Sequence, residues 1–366
     1  MALPYEIVNG EIRRPKDFEE VIVYWRYHDE SDEELNPELL DIKRVEIPEG
    51  TKKIGPNTFS LCQNLTSVTI PNSVTTIGDR AFAGCTSLTS VTIPDSVTAI
   101  GDRAFVDCAS LASITIPSGE IAIGRATFAG CKKLADKDGF VIVRGVLYDY
   151  CGESNDVTVP NDVTAIGGSA FSKCGSMPNV TIPNSVTTIG DSAFEDWTSL
   201  TSIIIPDSVT SIGSHAFHRT GLTSVTIPNS VTTIGDHAFA TCINLTGITL
   251  SNSVTSIGFC VFESCRSLTS ITIPNGVTRI SHNAFRGCES LTDIVIPSSV
   301  TTIENFAFAE CHDLRCITIP DSVTTLSDVA FYECEDLKSI TLPRRLESAV
   351  KNCRSICEIK FSDNMP

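Results

Sequence analysis

The residues able to do chemistry in this chain recur at fixed intervals. Cysteine stands at 62, 85, 108, 131, 174, 242, 265, 288, 311 and 334, with Cys353 continuing the series, and the chain holds 15 in all. Thiols one interval apart invite disulfides, but a bridge needs Cβ vectors directed at one another, and equivalent residues of stacked coils point the same way. They are expected to be reduced, buried, small apolar fillers. Structural zinc sites draw on Cys-x-x-Cys pairs, which are absent. His215 and His237 share one slot in consecutive intervals and would hold a metal only with a third ligand. None is evident, so no metal and no cofactor is expected. Asp79, Asp102, Asp191 and Asp236 also recur, but a ladder holds such carboxylates apart, and each is placed to cap a short helical turn instead. Phosphate loop, His-Glu-x-x-His, nucleophile elbow and special carboxylate pairs are all missing, so the chain is not expected to be an enzyme.

These residues are positioned by a repeat. A marker phenylalanine falls at 59, 82, 105, 128, 171, 194, 217, 239, 262, 285, 308 and 331, so the interval is 23 residues with one of 43 and one of 22. Such a period belongs to solenoids. In Leu65-Thr-Ser-Val-Thr-Ile70, alternation turns Val68 and Ile70 inward and Ser67 and Thr69 outward, as in a strand. Pro71-Asn-Ser makes a turn. Val74 and Ile77 point inward from a second extended piece, Gly78 makes a corner, and Arg80-Ala-Phe-Ala reads as the helical turn. No unit can bury its own Leu, Val, Ile and Phe, so the units must stack into a curved rod on the order of 60 Å long.

The interval of 43 is one period plus an insertion at 135–156. Phe140–Val143, the Arg144-Gly145 turn and Val146–Tyr150 read as a hairpin. Insertions fall on a solenoid's surface and often carry binding contacts, which makes Phe140, Arg144, Tyr148 and Tyr150 candidate partner-binding residues. Trp197 and Thr220 replace the column cysteine in neighbouring coils, and the second coil is one residue short; a local packing exchange accounts for this. Residues 1–41 do not fit the repeat and read as an N-terminal cap, with a strand at Val21–Tyr27 and an acidic run at Asp29–Glu34. The solenoid spans 42–345, and 346–366 form a degenerate last repeat and C-terminal cap.

Net charge is −17 and pI near 4.7, the wrong sign for binding nucleic acid or an anionic membrane. Apolar runs fall far short of a spanning helix, so no membrane insertion is expected. Neither a signal peptide nor an anchor is evident in this chain, which leaves the compartment open. The outward strand positions form a small, hydroxylated, almost uncharged face, varied by Asn179 and Asp293, which join the candidate partner-binding residues.

The run Leu-Thr-Ser-Val-Thr-Ile-Pro-Asn-Ser-Val-Thr-Thr-Ile-Gly with Ala-Phe-Ala-Gly-Cys, quoted from Leu65 to Cys85, resembles the BspA-type leucine-rich repeats of bacterial surface proteins and some protists. The resemblance implies an α/β solenoid: a right-handed leucine-rich-repeat superhelix of about 12 repeats, with a parallel sheet on its concave face and short helical turns opposite. It also implies a cell-surface or secreted, adhesin-like protein with no catalytic residues to carry over. The expectation is a non-catalytic recognition scaffold for a protein or glycan, such as a host or matrix macromolecule, using the concave face, the hairpin or both. The alternative is a structural or self-associating repeat protein.

Overall fold

Within each unit, consecutive coils are joined by backbone hydrogen bonds along up to three sides, and the local sequence decides which kind each side makes. A computed structural model describes residues 42–362 apart from 173 and 352, with the backbone of three short strands, Glu6–Val8, Glu11–Arg13 and Glu20–Val21. The chain divides into two units, Met1–Glu153 and Ser154–Pro366, each a parallel β-solenoid with very little helix. Most of the expected Val21–Tyr27 strand and the acidic run at Asp29–Glu34 lie outside the described residues.

The first side is the strand read from Leu65–Ile70. In the first unit Arg44–Glu46, Ser67–Thr69, Ser90–Thr92 and Ser113–Thr115 pair in parallel, residue for residue, as in Ser113 with Ser90 and Ile114 with Val91. Val68 is buried and Ser67 and Thr69 are exposed, as the alternation requires. An antiparallel hairpin of Glu6–Val8 and Glu11–Arg13 continues this sheet past Arg44–Glu46. The second unit repeats the arrangement from Asp156–Thr158 and Asn179–Thr181 to Ser339–Leu342, which pairs with Glu358–Phe361.

Two-residue strands form the second side, such as Thr76–Ile77 against Ala99–Ile100. The Ile-Gly corner that follows brings consecutive coils so close that a Cβ on Gly101 would lie 2.5 Å from the Asp79 nitrogen. Only glycine fits such an approach.

The third side differs from expectation. The helical turn at Arg80-Ala-Phe-Ala is not a helix, because Arg80 and Gly84 have φ of 52° and 68°. Successive N–H groups therefore point in alternate directions. Those of Arg80, Phe82 and Gly84 donate to the next coil at 2.7–2.9 Å, while those of Ala81, Ala83 and Cys85 donate three residues back. Two left-handed positions recur in most coils, at Asn57, Arg80, Arg103 and at Leu61, Gly84, Asp107 in the first unit, and at His215, His237, Cys260 and Arg219, Thr241, Ser264 in the second. The expected helix cap is corrected accordingly: Asp79 Oδ1 accepts from the Asp102 N–H of the next coil at 2.9 Å, and Asp102, Asp191 and Asp236 do the same in theirs. Among the described residues the helical segments are two 3-10 stretches, Lys132–Leu134 and Arg344–Val350.

All twelve marker phenylalanines are buried. They stack in file, with centroids 5.2–5.8 Å apart from Phe59 to Phe128 and 5.1–5.9 Å apart from Phe171 to Phe331. Each stacked pair adds about 0.5–1.5 kcal/mol beyond its burial. Trp197 confirms the packing exchange: it is fully buried, lies against Phe171 and Phe194, and donates its indole N–H to the Met177 carbonyl at 2.6 Å. The next coil is shortened at Gly221, where a Cβ would sit 2.1 Å from the Thr198 carbonyl oxygen.

The left-handed column carries a stability cost that glycine removes. A Cβ on Gly287 meets nothing nearer than 3.4 Å, so only its φ of 68° opposes a side chain. Gly287→Thr is expected to lower the unfolding free energy by about 1–2 kcal/mol and Gly287→Asn by clearly less. Urea unfolding reads this as a lower midpoint at unchanged slope; equal effects of Thr and Asn would contradict it.

Candidate functional site

The hairpin forms where the sequence placed it. Phe140–Val143 and Val146–Tyr150 pair antiparallel, and Arg144 and Gly145 have φ of 52° and 75°, the signs a two-residue type I′ turn requires. Its aromatic side chains, however, point inward. Phe140, Tyr148 and Tyr150 are each only 4–5% exposed, which corrects the expectation that they face a partner. Tyr148 joins the first unit's core edge-on against Phe128, with centroids 5.1 Å apart, and Phe140 packs on Tyr150 at 4.9 Å. Arg144 remains exposed, yet its guanidinium is engaged with loop carbonyls, donating to Gly119 at 2.8 Å and Pro117 at 3.3 Å. The hairpin packs on the last coil of the first unit, where its buried Asp149 accepts the Gly130 N–H at 2.6 Å.

Asn179 and Asp293 are exposed on the strand face of the second unit, in one row with Ser202, Ser224, Gly247, Ser270, Cys316 and Ser339. Four coils lie between them, so the structure does not bring them together. The adjacent row holds two side chains that stand out: Ile204, 84% exposed, and Val295, 65% exposed. Thr226, Thr249 and Thr272 lie between them.

All 15 cysteines are free, and 11 are buried. The column thiols do more than fill space. Cys85, Cys108 and Cys131 donate to the carbonyls of Phe59, Phe82 and Phe105 of the preceding coil, with sulfur–oxygen distances of 3.0–3.1 Å. Cys242, Cys265, Cys288, Cys311 and Cys334 do the same in the second unit. Burial pushes the Cys62 and Cys334 thiols up to about 12, and those of Cys265, Cys288 and Cys311 well up. Reactive thiolate chemistry is thereby suppressed.

The histidine slot is richer than the sequence showed. His215 and His237 stack at 4.6 Å, and His218 lies edge-on to His215. Beside His237 the fold sets Cys260 and Glu263, with a ligand atom of each of the three within 4.8 Å of the others. The structure adds no third ligand to the His215–His237 pair, but it gives His237 two other possible co-ligands, Cys260 and Glu263. The signal was present: Cys260 stands outside the cysteine series, two residues before Phe262, in the slot of His215 and His237.

With this geometry in hand, comparison with known proteins assigns the chain. The BspA type leucine rich repeat region, in 6 copies, matches residues 38–138, 142–269 and 255–366. The chain belongs to the BspA-type leucine-rich repeat family. It is similar to a leucine-rich repeat protein from Eubacterium ventriosum at 22% identity and a TM-score of 0.50, covering 81% of this chain and 83% of that one. A leucine rich cell surface protein from Faecalibacterium prausnitzii is 30% identical over 87% of this chain and 88% of that one, with a TM-score of 0.39. A leucine-rich repeat protein from Bacteroides ovatus is 26% identical, over 98% and 97%, with a TM-score of 0.46. No curated protein matches the chain. Membership of this repeat family supports a repeat-based recognition scaffold. No described helix is long and apolar enough to cross a membrane.

Two outcomes follow from the burial of these groups. Tyr148→Ala removes a core ring and is expected to lower the unfolding free energy by about 3–5 kcal/mol, read by urea titration; a wild-type midpoint would contradict its place in the core. A water-soluble thiol reagent is expected to label the exposed Cys316 and Cys357 promptly, and Cys265 and Cys288 only after unfolding. Peptide mapping by mass spectrometry reads the order, and early labelling of Cys288 would overturn the buried ladder.

Proposed function

We propose that the chain is a non-catalytic, adhesin-like recognition scaffold that holds a protein partner on the strand face of its second unit. The observation that carries this is the row Ile204, Thr226, Thr249, Thr272 and Val295. A surface position in a parallel ladder is ordinarily given to Ser or Thr, which stay soluble, and the intervening coils follow that rule. Ile204 and Val295 break it and leave two aliphatic side chains largely exposed. They stand four coils apart, roughly 19 Å at the spacing of paired strands, with three threonine methyl and hydroxyl groups between. Apolar anchors separated by a flat hydrogen-bonding floor fit an extended protein segment or a shallow protein surface.

A glycan is the weaker choice of partner. Sugar rings are held by aromatic side chains, and the outward strand positions of this unit carry none among the described residues. Asn179 and Asp293, in the neighbouring row, are polar contacts at the rim. Self-association through the last strand, Glu358–Phe361, is also weaker. Ile359 is 38% exposed there, but Glu358 and Lys360 flank it, and charges of this kind discourage edge pairing. An extracellular setting accords with the relative from F. prausnitzii, which is described as a cell surface protein. Catalysis finds no support in a face without converging groups of unlike pKa.

The test is a binding array of matrix proteins, mucins and glycans, followed by surface plasmon resonance on the hits. Saturable binding to a protein is expected, weakened about tenfold or more by Ile204→Asp with Val295→Asp, the loss of two anchors of about 1 kcal/mol or more each. Binding that the double variant leaves unchanged, or binding to glycans alone, would overturn the proposal.

A further inference from the structure

The left-handed column of the second unit brings together groups that the sequence keeps 23 residues apart. His237, Cys260 and Asn283 occupy consecutive coils with φ of 56°, 53° and 56°, so their side chains leave the backbone in one direction. Glu263 lies one tight turn beyond Cys260, its N–H donating to the Cys260 carbonyl at 3.1 Å. His237 Nδ1 is 3.9 Å from Glu263 Oε2, and the Cys260 thiol completes a cluster whose ligand atoms all lie within 4.8 Å of one another.

We propose that His237, Cys260 and Glu263 bind one divalent transition-metal ion of borderline softness, zinc in the first instance, with Asn283 closing the site. The donor set decides the class of ion. Imidazole nitrogen, thiolate sulfur and one carboxylate oxygen suit zinc, whereas calcium and magnesium take oxygen donors. A tetrahedral zinc ion spaces its donors about 3.3–3.8 Å apart, given its usual bond lengths. His237 and Glu263 are partly exposed and close that gap by rotating side-chain torsions, while the buried Cys260 stays fixed.

Asn283 is a second and independent sign. The residue is 9% exposed and its side chain lies against the Cys260 thiol, yet its Oδ1 has no hydrogen-bond partner. Buried polar atoms are almost always partnered. An ion held by His237, Cys260 and Glu263, or water bound to that ion, would give this oxygen a partner. The same column holds Arg80, Arg103 and Ala126 in the first unit, so the donors here are a departure from the repeat and not a product of it.

The surroundings suit the role. Arg286 lies 3.8 Å from Glu263 Oε1 and is itself held by Glu310 at 2.8 Å, which keeps a positive charge behind the carboxylate. Burial and the neighbouring His215 hold the His237 imidazole below its usual pKa, which favours the neutral form that binds metal. Burial raises the Cys260 thiol to about 12, which opposes binding until the ion displaces its proton to solvent as the sulfur–metal bond forms.

Cobalt(II), a coloured stand-in for zinc, is titrated into the full chain carrying Cys316→Ser and Cys357→Ser, which removes the two exposed thiols. Absorption is expected to show a thiolate-to-cobalt charge-transfer band that saturates at one ion per chain and that zinc abolishes. Cys260→Ser is expected to remove the band, and His237→Gln and Glu263→Gln each to weaken binding about tenfold or more. The last two alter partly exposed side chains, so circular dichroism is expected to remain that of the parent. No saturable band in the parent, a band that survives Cys260→Ser, or affinity unchanged in both Gln variants would overturn the site.

Discussion

The structure depends on one constraint: the backbone of each coil must hydrogen-bond to the next on three sides at the spacing of paired strands. Strand pairs meet this on two sides without strain. On the third they do not, because the chain must turn sharply there while still offering N–H groups along the stack. Alternating left-handed residues solve the conflict. They send every second N–H to the neighbouring coil and the others back into the turn, as from Arg80 to Cys85. The cost is up to two residues at positive φ in a coil, which the chain accepts even at Thr241 and Leu61.

Once coils are fixed at that spacing, every side chain becomes a member of a column, and columns select residue types. Phenylalanine suits one because flat rings stack at 5–6 Å with little lateral freedom. Cysteine suits the next because it is small and apolar, and its weak S–H donor meets a phenylalanine carbonyl that already accepts one N–H. A hydroxyl behaves otherwise. Thr220 turns back to the carbonyl of Phe217 in its own coil and leaves the interval between coils to Cys242. Threonines just before the strands extend the same economy, as when Thr89 donates to the Thr66 carbonyl and Thr246 to that of Thr223. Much of the hydroxyl content is therefore structural wiring between coils.

This explains what was legible in the sequence. The strand, its inward and outward residues, the phenylalanine file, the reduced cysteines and the hairpin all follow from periodicity and from turn chemistry, which are properties of single residues and their intervals. The third side was not legible as backbone. Ala-Phe flanked by Asp and Arg is also how a helical turn is written, and only the glycines at 84, 130 and 287 betray the left-handed column. The direction of the hairpin's rings was hidden as well. Tyr148 and Tyr150 lie on opposite sides of Asp149, and a pattern in which all three are buried has no period to read. Nor does spacing alone show that Glu263 folds back toward His237, because that contact runs between a turn residue of one coil and a column residue of the coil before.

A repeat protein makes its exceptions informative in a way that an ordinary globule does not. Where twelve coils agree, a column states what stacking alone demands, so a departure needs a cause of its own. Trp197 has one inside the coil, since the shortened loop at Gly221 and the missing thiol at Thr220 are matched by the bulk of the indole. Asp149 and Arg144 have one in the hairpin, where they bond the Gly130 N–H and the carbonyls of Pro117 and Gly119. Ile204, Val295 and the set of His237, Cys260, Glu263 and Asn283 have none in the stack. Exposed aliphatic carbon gains nothing from facing water, and a buried amide oxygen without a partner loses hydrogen bonding that water would have given it. Both kinds of residue gain only from something the coils do not themselves provide, and for that reason function is sought in them rather than in the repeated face.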